Sequence, residues 1–381
     1  MAERSNIIHI WVPDIESAKG GIQAFSRFFI RAVADAYPEA DIAVFSKNDN
    51  SPPATPIHDR PIRFECAGWW SWGQRTVAFT WQIGRAAIAE RPDLILMTHV
   101  HFSPAAAWLK SIVGVPYAVV AHGVDVWGVR NRRMIRALRR ADRLLAVSNF
   151  TRERMRADLG VSGDRIGLVP NTFDADEFRP EPKAHYLLKR FQLESDQPVI
   201  LTVARLASAD RYKGYDQILG VLPAIKEVQP SVRYLLAGSG PDRARIEALI
   251  RKLGVEENVT LAGYVPDHEL RDFYNLCDVF AMPSKGEGFG IVFLEALACG
   301  KPVVAGNKDG SVDAVANGHL GVLIDPDDLN QLKEALILIL AHRHPLAILR
   351  DPERLRAAVI EAYGYERFRE TVKEEVHKIR K

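Results

Sequence analysis

The 381-residue sequence has few cysteines, no excess of charge of one sign and no long apolar run. Cys66, Cys277 and Cys299 are far apart, so they predict neither a disulfide framework nor a Cys-x-x-Cys metal site and favour a reducing compartment. The 50 basic residues against 48 acidic residues give a net charge of +2, which gives no support for nucleic-acid binding. No window reaches the roughly 18 apolar residues of a spanning helix, and the N-terminus lacks the long core of a secretory signal. We therefore expect a cytoplasmic protein.

Three common catalytic motifs are also missing. There is no G-x-G-x-x-G dinucleotide fingerprint and no G-x-x-x-x-G-K-[ST] phosphate loop. There is also no G-x-S-x-G, the commonest signature of serine hydrolases. These absences argue against a dinucleotide-dependent enzyme, a P-loop ATPase and a serine hydrolase.

Short apolar runs alternate with helical stretches along the whole chain, and this pattern predicts an α/β fold. Stretches such as 21–37 and 74–90 carry apolar residues at helical spacing. Strand followed by helix with short connections is typical of doubly wound parallel sheets. The predicted strands are 7–12, 40–45, 93–100, 117–123 and 143–148, then 199–204, 233–238, 259–265, 279–284, 301–306 and 321–326.

A charged, proline-containing stretch at 178–198 interrupts this alternation and predicts a domain boundary. The expected organisation is an N-terminal domain over 1–180, a linker over 181–195 and a C-terminal domain over 196–360. A charged helical tail follows, of which 361–381 forms the last part. Two such domains imply a cleft between them, and ligands of these sheets bind at the carboxyl ends of the strands.

Two loops carry residues suited to phosphate. Gly20 and Gly21 follow the first strand and open a helix, whose N-terminal amides attract anions; a simple tight turn is the alternative. Arg205 and Lys213 follow a strand of the second half, where two cations can hold a diphosphate and stabilise it as a leaving group. Solvated surface charges are the alternative there.

The most informative stretch is PSKGEGFGIVFLEALACGKPVVAG, residues 283–306. Three glycines flank Glu287 directly after a predicted strand, and a helix is expected from about Ile291 to Ala298, with Gly300 as its C-terminal cap. Glu295 lies inside that otherwise apolar helix, where an unpaired carboxylate is costly. It is suited to the two hydroxyls of a ribose, and capping of a backbone amide is the alternative.

Histidines follow two of the strands. His122 ends the run YAVVAHG on the side expected to face the cleft, which favours a role in the site over simple packing. His99 and His101 lack a recognisable third metal ligand, so we interpret them as structural or acceptor-binding residues. No metal site is predicted.

Two surface features leave alternatives open. Residues 130–143 contain seven arginines and one acid on a predicted helix, which would contact an anionic membrane or simply form a solvated basic face. Residues 67–81 contain Trp69, Trp70, Trp72 and Trp81, which would stack on sugars, lie at a membrane interface or belong to the core.

Taken together, these loops resemble the retaining, glycogen-synthase-like glycosyltransferases of GT-B fold, known as glycosyltransferase group 1. The resemblance covers nearly the whole chain. Its most specific element is the Glu-x7-Glu pair in EGFGIVFLE, supported by ARL…RYKG, AGSGP, VTLAGYVP, AVSNFTRERM and VPNTFDADEF. It implies two Rossmann-like domains and a C-terminal helix that crosses back to the first domain.

The resemblance also implies transfer of a hexose from a nucleotide sugar with retention of configuration and no required metal or other cofactor. Arg205 and Lys213 would bind the diphosphate. Glu295 would bind the ribose, and the backbone near Val265 the base. The other implied contacts are Glu287 with Gly288, Phe289 and Gly290 to the hexose, His122 to the sugar near the reacting centre, Gly20 and Gly21 to the phosphates, and Gly238 in AGSGP to the donor.

Arg205 and Lys213 are eight residues apart, whereas many relatives have about five, so Arg211 is an alternative second cation. On family frequency we favour a UDP-hexose such as UDP-glucose, with GDP-mannose as the alternative. The expected acceptor is a glycan or lipid-linked saccharide of polysaccharide biosynthesis, which would bring the protein to the inner face of the plasma membrane through 130–143. A GT-B epimerase is disfavoured by the Glu-x7-Glu pair, and a non-catalytic sugar-nucleotide-binding subunit stays open.

Overall fold

The computed structural model describes residues 6–17 and 20–379, which fold into two compact units. The first unit consists of residues up to Thr172 together with the segment from Tyr365 onward, and the second is Phe173–Gly364. Residues 1–5, part of the stretch assessed for a secretory signal, and residues 380–381 of the predicted tail lie outside the described residues.

The first unit contains a parallel sheet of seven strands in its described residues, in the order β3-β2-β1-β4-β5-β6-β7. Its central strands are continuous apolar runs because helices cover both faces of a parallel sheet. The strands are β1 (Ile7–Val12), β2 (Asp41–Ser46), β3 (Arg63–Cys66), β4 (Leu94–Met97), β5 (Tyr117–Ala121), β6 (Arg143–Ala146) and β7 (Ile166–Leu168).

Six helices of the described residues belong to this unit, and the last of them comes from the end of the chain. They are α1 (Gly21–Ala36), α2 (Trp72–Glu90), α3 (Ser103–Val113), α4 (Arg132–Arg140), α5 (Asn149–Leu159) and α14 (Tyr365–His377). Helix α14 packs on α1, where Phe368 meets the Phe25 ring edge-on at 5.6 Å between centroids. Near its other end, Glu375 is paired with Arg143 of β6 at 2.6 Å.

The second unit contains a parallel sheet of six strands in its described residues, in the order β10-β9-β8-β11-β12-β13. The strands are β8 (Val199–Val203), β9 (Arg233–Ala237), β10 (Val259–Gly263), β11 (Val279–Met282), β12 (Val303–Gly306) and β13 (Val322–Ile324). The helices are α6 (His185–Phe191), α7 (Tyr215–Val228), α8 (Arg243–Leu253), α9 (Asp267–Leu276), α10 (Ile291–Ala298), α11 (Ser311–Ala314), α12 (Leu329–Leu340) and α13 (Pro352–Tyr363).

The predicted α/β class is confirmed, and each predicted strand is present within a few residues of its expected limits. Strands β3 and β7 are additional. The stretch interpreted as a linker, 181–195, instead contains helix α6 and belongs to the second unit, because Leu187 is fully buried and anchors it there. The charged tail is two helices rather than one run, since the chain breaks at Gly364 between α13 and α14.

Candidate active site

The candidate site residues of the second unit lie in the loops that follow β8, β9, β10 and β11. These strands are parallel neighbours, so their carboxyl ends meet at one edge of the sheet. Residues far apart in sequence are therefore carried by adjacent loops and, for Glu295, by the helix that follows one of these loops.

The segment after β8 carries both predicted cations. Arg205 is 80% exposed along its side chain, and its guanidinium lies 3.2 Å from the buried carboxylate of Asp210. Residues Ser208–Lys213 form a 3-10 helix that takes up the additional length between Arg205 and Lys213. The long spacing noted in the sequence therefore does not prevent Lys213 from reaching the neighbouring loop.

Lys213 and Glu287 form an ion pair in which the ammonium donates to the carboxylate. Their side chains are only 15% and 13% exposed. Burial acts to lower the pKa of Lys213, but the adjacent Glu287 carboxylate outweighs it and the pKa is raised. Lys213 is therefore held as a cation next to a carboxylate in a partly dry environment, where charge interactions are stronger than in water.

Arg211 does not take part in this pair. Its guanidinium makes two hydrogen bonds to Asp242, of 2.9 and 3.1 Å, and Asp242 also accepts from Arg245. These two arginines hold the pKa of Asp242 well below its usual range. Of the two alternatives left by the sequence, Lys213 is thus the cation beside Glu287, and Arg211 belongs to a separate ionic cluster.

A residue that the sequence analysis missed organises the Glu287 loop. The carboxylate of Asp309 is buried and accepts from the Glu287 amide at 2.7 Å and from the Ser284 hydroxyl at 2.8 Å. It also accepts from the amide of Ser311 at 3.0 Å. The only sequence signal is an Asp-Gly pair after a strand, which usually indicates a turn.

Helix α10 begins directly after the glycine-rich loop, as predicted. Gly290 is its N-cap with φ of 93°, a left-handed conformation that glycine adopts without strain, and no described side chain caps this helix start. Phe289 is buried and packs edge-on against Tyr363, with 5.6 Å between ring centroids, which fixes the loop behind Gly288. The Phe293 amide donates to the Gly290 carbonyl, and the preceding amides of the first turn of α10 are available to an anion or a sugar oxygen.

Glu295 lies one turn further along α10 and accepts a hydrogen bond of 2.6 Å from the phenol of Tyr274. The alternative of a backbone cap is therefore not what the structure contains. Burial raises the pKa of Glu295 to about 7, although the Tyr274 bond acts to lower it. The carboxyl is thus poised to ionise near neutral pH.

Gly238 and Val265 follow β9 and β10. Gly238 has φ of 140°, and a Cβ there would lie 1.7 Å from the carbonyl oxygen of Ala204, so glycine allows this loop to approach the segment that carries Arg205. Val265 lies two residues beyond the end of β10 and is half-buried beside Pro266, the N-cap of α9.

In the first unit, Gly20 is the N-cap of α1 and Gly21 its first residue. Residues 15–17, which precede them in the sequence, are held by Asp49, a second residue that the sequence analysis missed. The Asp49 carboxylate accepts from the amides of Ile15, Glu16 and Ser17 at 2.7 to 3.1 Å. Burial acts to raise the pKa of Asp49, but its hydrogen bonds outweigh burial and lower the pKa.

His122 follows β5 and is half-buried. Its Nε2 lies 2.8 Å from the carbonyl oxygen of Thr98, which assigns the proton to Nε2 and leaves Nδ1 as an acceptor. Burial lowers the pKa of His122 to about 4, so the imidazole is neutral at pH 7. His99 accepts from the amide of His101 and thereby caps a short 3-10 helix, which is a structural role.

Two further observations concern the described residues as a set. Within 6–17 and 20–379, no three His, Cys, Asp or Glu side chains converge as a metal site would require. None of the helices in these ranges combines the length and apolarity needed to cross a bilayer.

Two units, each with a parallel sheet flanked by helices, have the GT-B architecture. Residues 187–360 match the family model described as "Glycosyl transferases group 1", and residues 19–177 match that described as "Glycosyltransferase Family 4". The chain belongs to the group 1 glycosyltransferases. It is also similar to the solved sucrose-phosphate synthase of Thermosynechococcus elongatus, with a TM-score of 0.78 and 23% identity, covering 98% of each chain. This second similarity concerns the fold alone.

Several curated relatives are named as mannosyltransferases of phosphatidylinositol monomannosides. The chain is 34% identical over 232 residues to the GDP-mannose-dependent alpha-(1-6)-phosphatidylinositol monomannoside mannosyltransferase of Mycolicibacterium smegmatis, covering 58% of this chain but only 57% of that relative. It spans 52% of the corresponding enzyme of Mycobacterium tuberculosis. The GDP-mannose-dependent monoacylated alpha-(1-6)-phosphatidylinositol monomannoside mannosyltransferase of Corynebacterium glutamicum is 29% identical over 343 residues, or 84% of this chain and 85% of that one. A UDP-hexose, the donor favoured from the sequence, has no support in these names.

Proposed function

We propose that the protein is a retaining mannosyltransferase that uses GDP-mannose and a lipid-linked acceptor of the phosphatidylinositol mannoside type. The observation that carries the reaction class is the Lys213–Glu287 pair at the carboxyl edge of the second sheet, which joins a phosphate-binding cation to a hydroxyl-binding carboxylate. The choice of donor and acceptor is supported by the three curated relatives reported above, all of which are named for GDP-mannose and a phosphatidylinositol monomannoside.

The donor diphosphate would lie against Lys213 and Arg205. Lys213 is a fixed cation because its partner and the packing around it hold it in place, whereas the exposed Arg205 can move onto the ligand. The uncapped amides at the start of α10 add partial positive charge. Charge develops on the leaving diphosphate as the glycosidic bond breaks, so these groups would stabilise the transition state more than the bound substrate.

Two carboxylates would bind the hydroxyls of the donor. We assign Glu287, with the amides of the glycine-rich loop, to the mannose, and Glu295 to the ribose of the nucleotide. The backbone near Val265 would contact the base. Because such backbone contacts select the base, the change from UDP to GDP requires no change in the charged residues.

Retention would follow from a front-face reaction. The acceptor oxygen forms a bond to the anomeric carbon on the side from which the phosphate oxygen departs, and the acceptor proton passes to that phosphate oxygen. This route needs neither a side-chain base nor a metal, because Lys213 and Arg205 supply the positive charge. In the first unit, Nδ1 of the neutral His122 imidazole would accept a hydrogen bond from a sugar hydroxyl. The start of α1 at Gly20 and Gly21 would bind phosphate.

The first test is a thermal-shift titration with GDP, UDP, ADP and CDP, each with and without magnesium. A ligand that binds only the folded protein stabilises it by about 2.7 kcal/mol at a concentration of 100 Kd. We expect GDP to give the largest shift, independent of magnesium. A larger shift with UDP would overturn the donor but not the transferase, and a shift with none of the four would overturn both.

The second test is transfer of mannose from GDP-mannose to phosphatidylinositol mannoside, with the anomeric configuration of the product read by NMR. The K213M variant should lose turnover, whereas K252A, a control at an exposed lysine of α8, should not. An inverted product would overturn the retaining mechanism. Nucleotide binding without turnover on any glycolipid acceptor would favour the non-catalytic subunit.

A further inference from the structure

Five of the seven tryptophans of the chain lie on the surface of the first unit, between residues 69 and 108. Trp72 is 88% exposed, and the remaining four, Trp69, Trp70, Trp81 and Trp108, are each more than half exposed. Isolated apolar side chains are common on surfaces, but a group of large ones usually marks a binding site. The sequence left the location of this tryptophan cluster open, and the structure excludes the core.

Part of this group lies on α2 and α3, two helices that are in contact with each other. Val77, Trp81 and Ile88 recur at helical spacing along α2, on the face opposite the buried stripe that contains Phe79 and Ile83. The ring of Trp108 on α3 covers Gly84, a buried residue of α2, where it would be 3.9 Å from an added Cβ. The members of this surface, here named the Trp surface, are Val77, Trp81, Ile88, Trp108 and Ile112.

The helices that carry and flank the Trp surface are strongly basic. Helices α2, α3 and α4 together contain eight basic residues and one acidic residue, Glu90, although basic and acidic residues nearly balance over the whole chain. The guanidinium of Arg85 lies 5.5 Å from the ring centroid of Trp81. On the other side, the guanidinium of Arg140 bonds to the hydroxyl of Ser111 at 2.8 Å, beside Ile112.

For the arginine-rich helix, the sequence analysis left membrane contact and a solvated basic face open, and the structure shows how its two faces are used. Met134, Ala137 and Leu138 of α4 are buried against the unit, so its apolar face is already used. Helix α4 therefore supplies charge but no apolar side chain able to enter a bilayer. The apolar contribution comes from α2 and α3.

We propose that the Trp surface docks the protein on the interfacial region of an anionic lipid bilayer. Tryptophan is favoured at membrane interfaces because its ring is apolar and its N–H remains hydrogen-bonded. Basic side chains beside it are attracted to anionic headgroups. The combination of apolar and basic residues fits an anionic bilayer. Membrane binding of this kind does not depend on a nucleotide sugar, so the inference goes beyond the proposed function. It would also place the enzyme where a lipid-linked acceptor lies.

The test is flotation of the full chain with vesicles of phosphatidylcholine alone and of phosphatidylcholine mixed with phosphatidylglycerol. We expect binding to the mixed vesicles only, with a blue shift of tryptophan fluorescence because most tryptophans are exposed in the free protein. The W81S/W108S variant should bind about tenfold less. The control V228S/L329S removes two exposed apolar side chains of the second unit and should bind as the wild type does.

Other results would overturn this inference. It is wrong if the wild-type protein does not float with anionic vesicles, or if W81S/W108S floats equally well. It is also wrong if sedimentation shows a dimer that W81S/W108S dissociates, because the Trp surface would then join two copies of the chain. Nucleotide-induced stabilisation, measured without vesicles, should be the same in both variants and the wild type, so failure of membrane binding stays distinguishable from failure of the proposed transferase.

Discussion

Lys213 and Glu287 are 74 residues apart in the sequence, yet the ammonium of one donates directly to the carboxylate of the other. Each side chain lacks most of its contact with solvent, so each compensates for the charge of the other. Without a ligand, the pair keeps the two charges of the proposed donor site in register.

Because the two charges compensate each other, replacing one of them should lower both stability and activity, whereas replacing both should lower mainly activity. K213M and E287Q should each lower the free energy of unfolding by about 3 kcal/mol, because each leaves a buried charge or polar group without its partner. Turnover should fall at least about 100-fold in both. The double variant K213M/E287Q should regain most of the stability, measured by denaturant unfolding, and no activity. Recovery of activity in the double variant would contradict the assignment of both residues to substrate.

Asp309 should act on the site through the Glu287 loop. D309A leaves the Glu287 amide and the Ser284 hydroxyl without their acceptor, so we expect unfolding to become easier by at least about 2 kcal/mol and turnover to fall. The matched control is D327A in the same unit, where the carboxylate is exposed and its salt bridges should contribute little to stability. Equal effects of the two substitutions would show that Asp309 has no special part in the loop.

Gly238 and Gly220 should respond in opposite directions to alanine. At Gly238 the new Cβ would collide with the Ala204 carbonyl at a φ that alanine avoids, so G238A should cost at least about 2 kcal/mol and displace the segment that carries Arg205. Gly220 is in the middle of α7 with open space beside it, so G220A should raise the free energy of unfolding by about 0.4 to 1 kcal/mol. Thermal unfolding and nucleotide titration of both variants would check this.

Nucleotide binding should depend on pH through Glu295. Its pKa near 7 means that the carboxyl is largely protonated at pH 6, whereas ribose hydroxyls would bond to the ionised form. GDP affinity should therefore rise about tenfold between pH 6 and pH 8, and E295Q should remove this dependence. Y274F should move the midpoint to higher pH, because the Tyr274 hydrogen bond favours the carboxylate. A flat profile in the wild type would argue against ribose binding at this position.

The same pKa fixes the sign of the effect on folding. The folded-state pKa of Glu295 is raised above the ordinary 4.5. Its contribution to the stability of the unliganded protein is therefore fully present below pH 4.5 and is lost as the pH rises from 4.5 through 7. E295Q should therefore be more stable than the wild type at pH 8, and the difference should shrink towards pH 5. Denaturant unfolding at the two pH values measures it.

The fold class followed from the sequence because buried strands of a parallel sheet are continuous apolar runs, as in β1 and β5. Strand β3 escaped this rule since its residues, RFEC, are half-exposed at the edge of the sheet. Strand β7 has only three residues and gives no recognisable pattern. Helix α6 was missed because a single fully buried side chain, Leu187, fixes a charged segment.

The site was predicted where residue type and local motif agree, as for Lys213 and Glu287, although their roles stay proposals. Asp309 and Asp49 could not be found in this way. Each works through amides of a loop more than 20 residues away in the sequence, a contact that only the tertiary structure creates. The sequence also could not predict that Trp81 is exposed, because α2 has apolar stripes on two faces and periodicity does not tell which one is buried.

The position of α14 has a consequence for synthesis. This helix supplies Phe368, Val372 and Val376 to the core of the first unit, but the ribosome makes it after the whole of the second unit. Domains of most chains complete their folding in the order in which they emerge. Here the second unit is continuous in sequence and can complete its folding first. Until α14 has been made, the α1 face around Phe25 in the first unit stays uncovered, and a chaperone would be most useful during this interval.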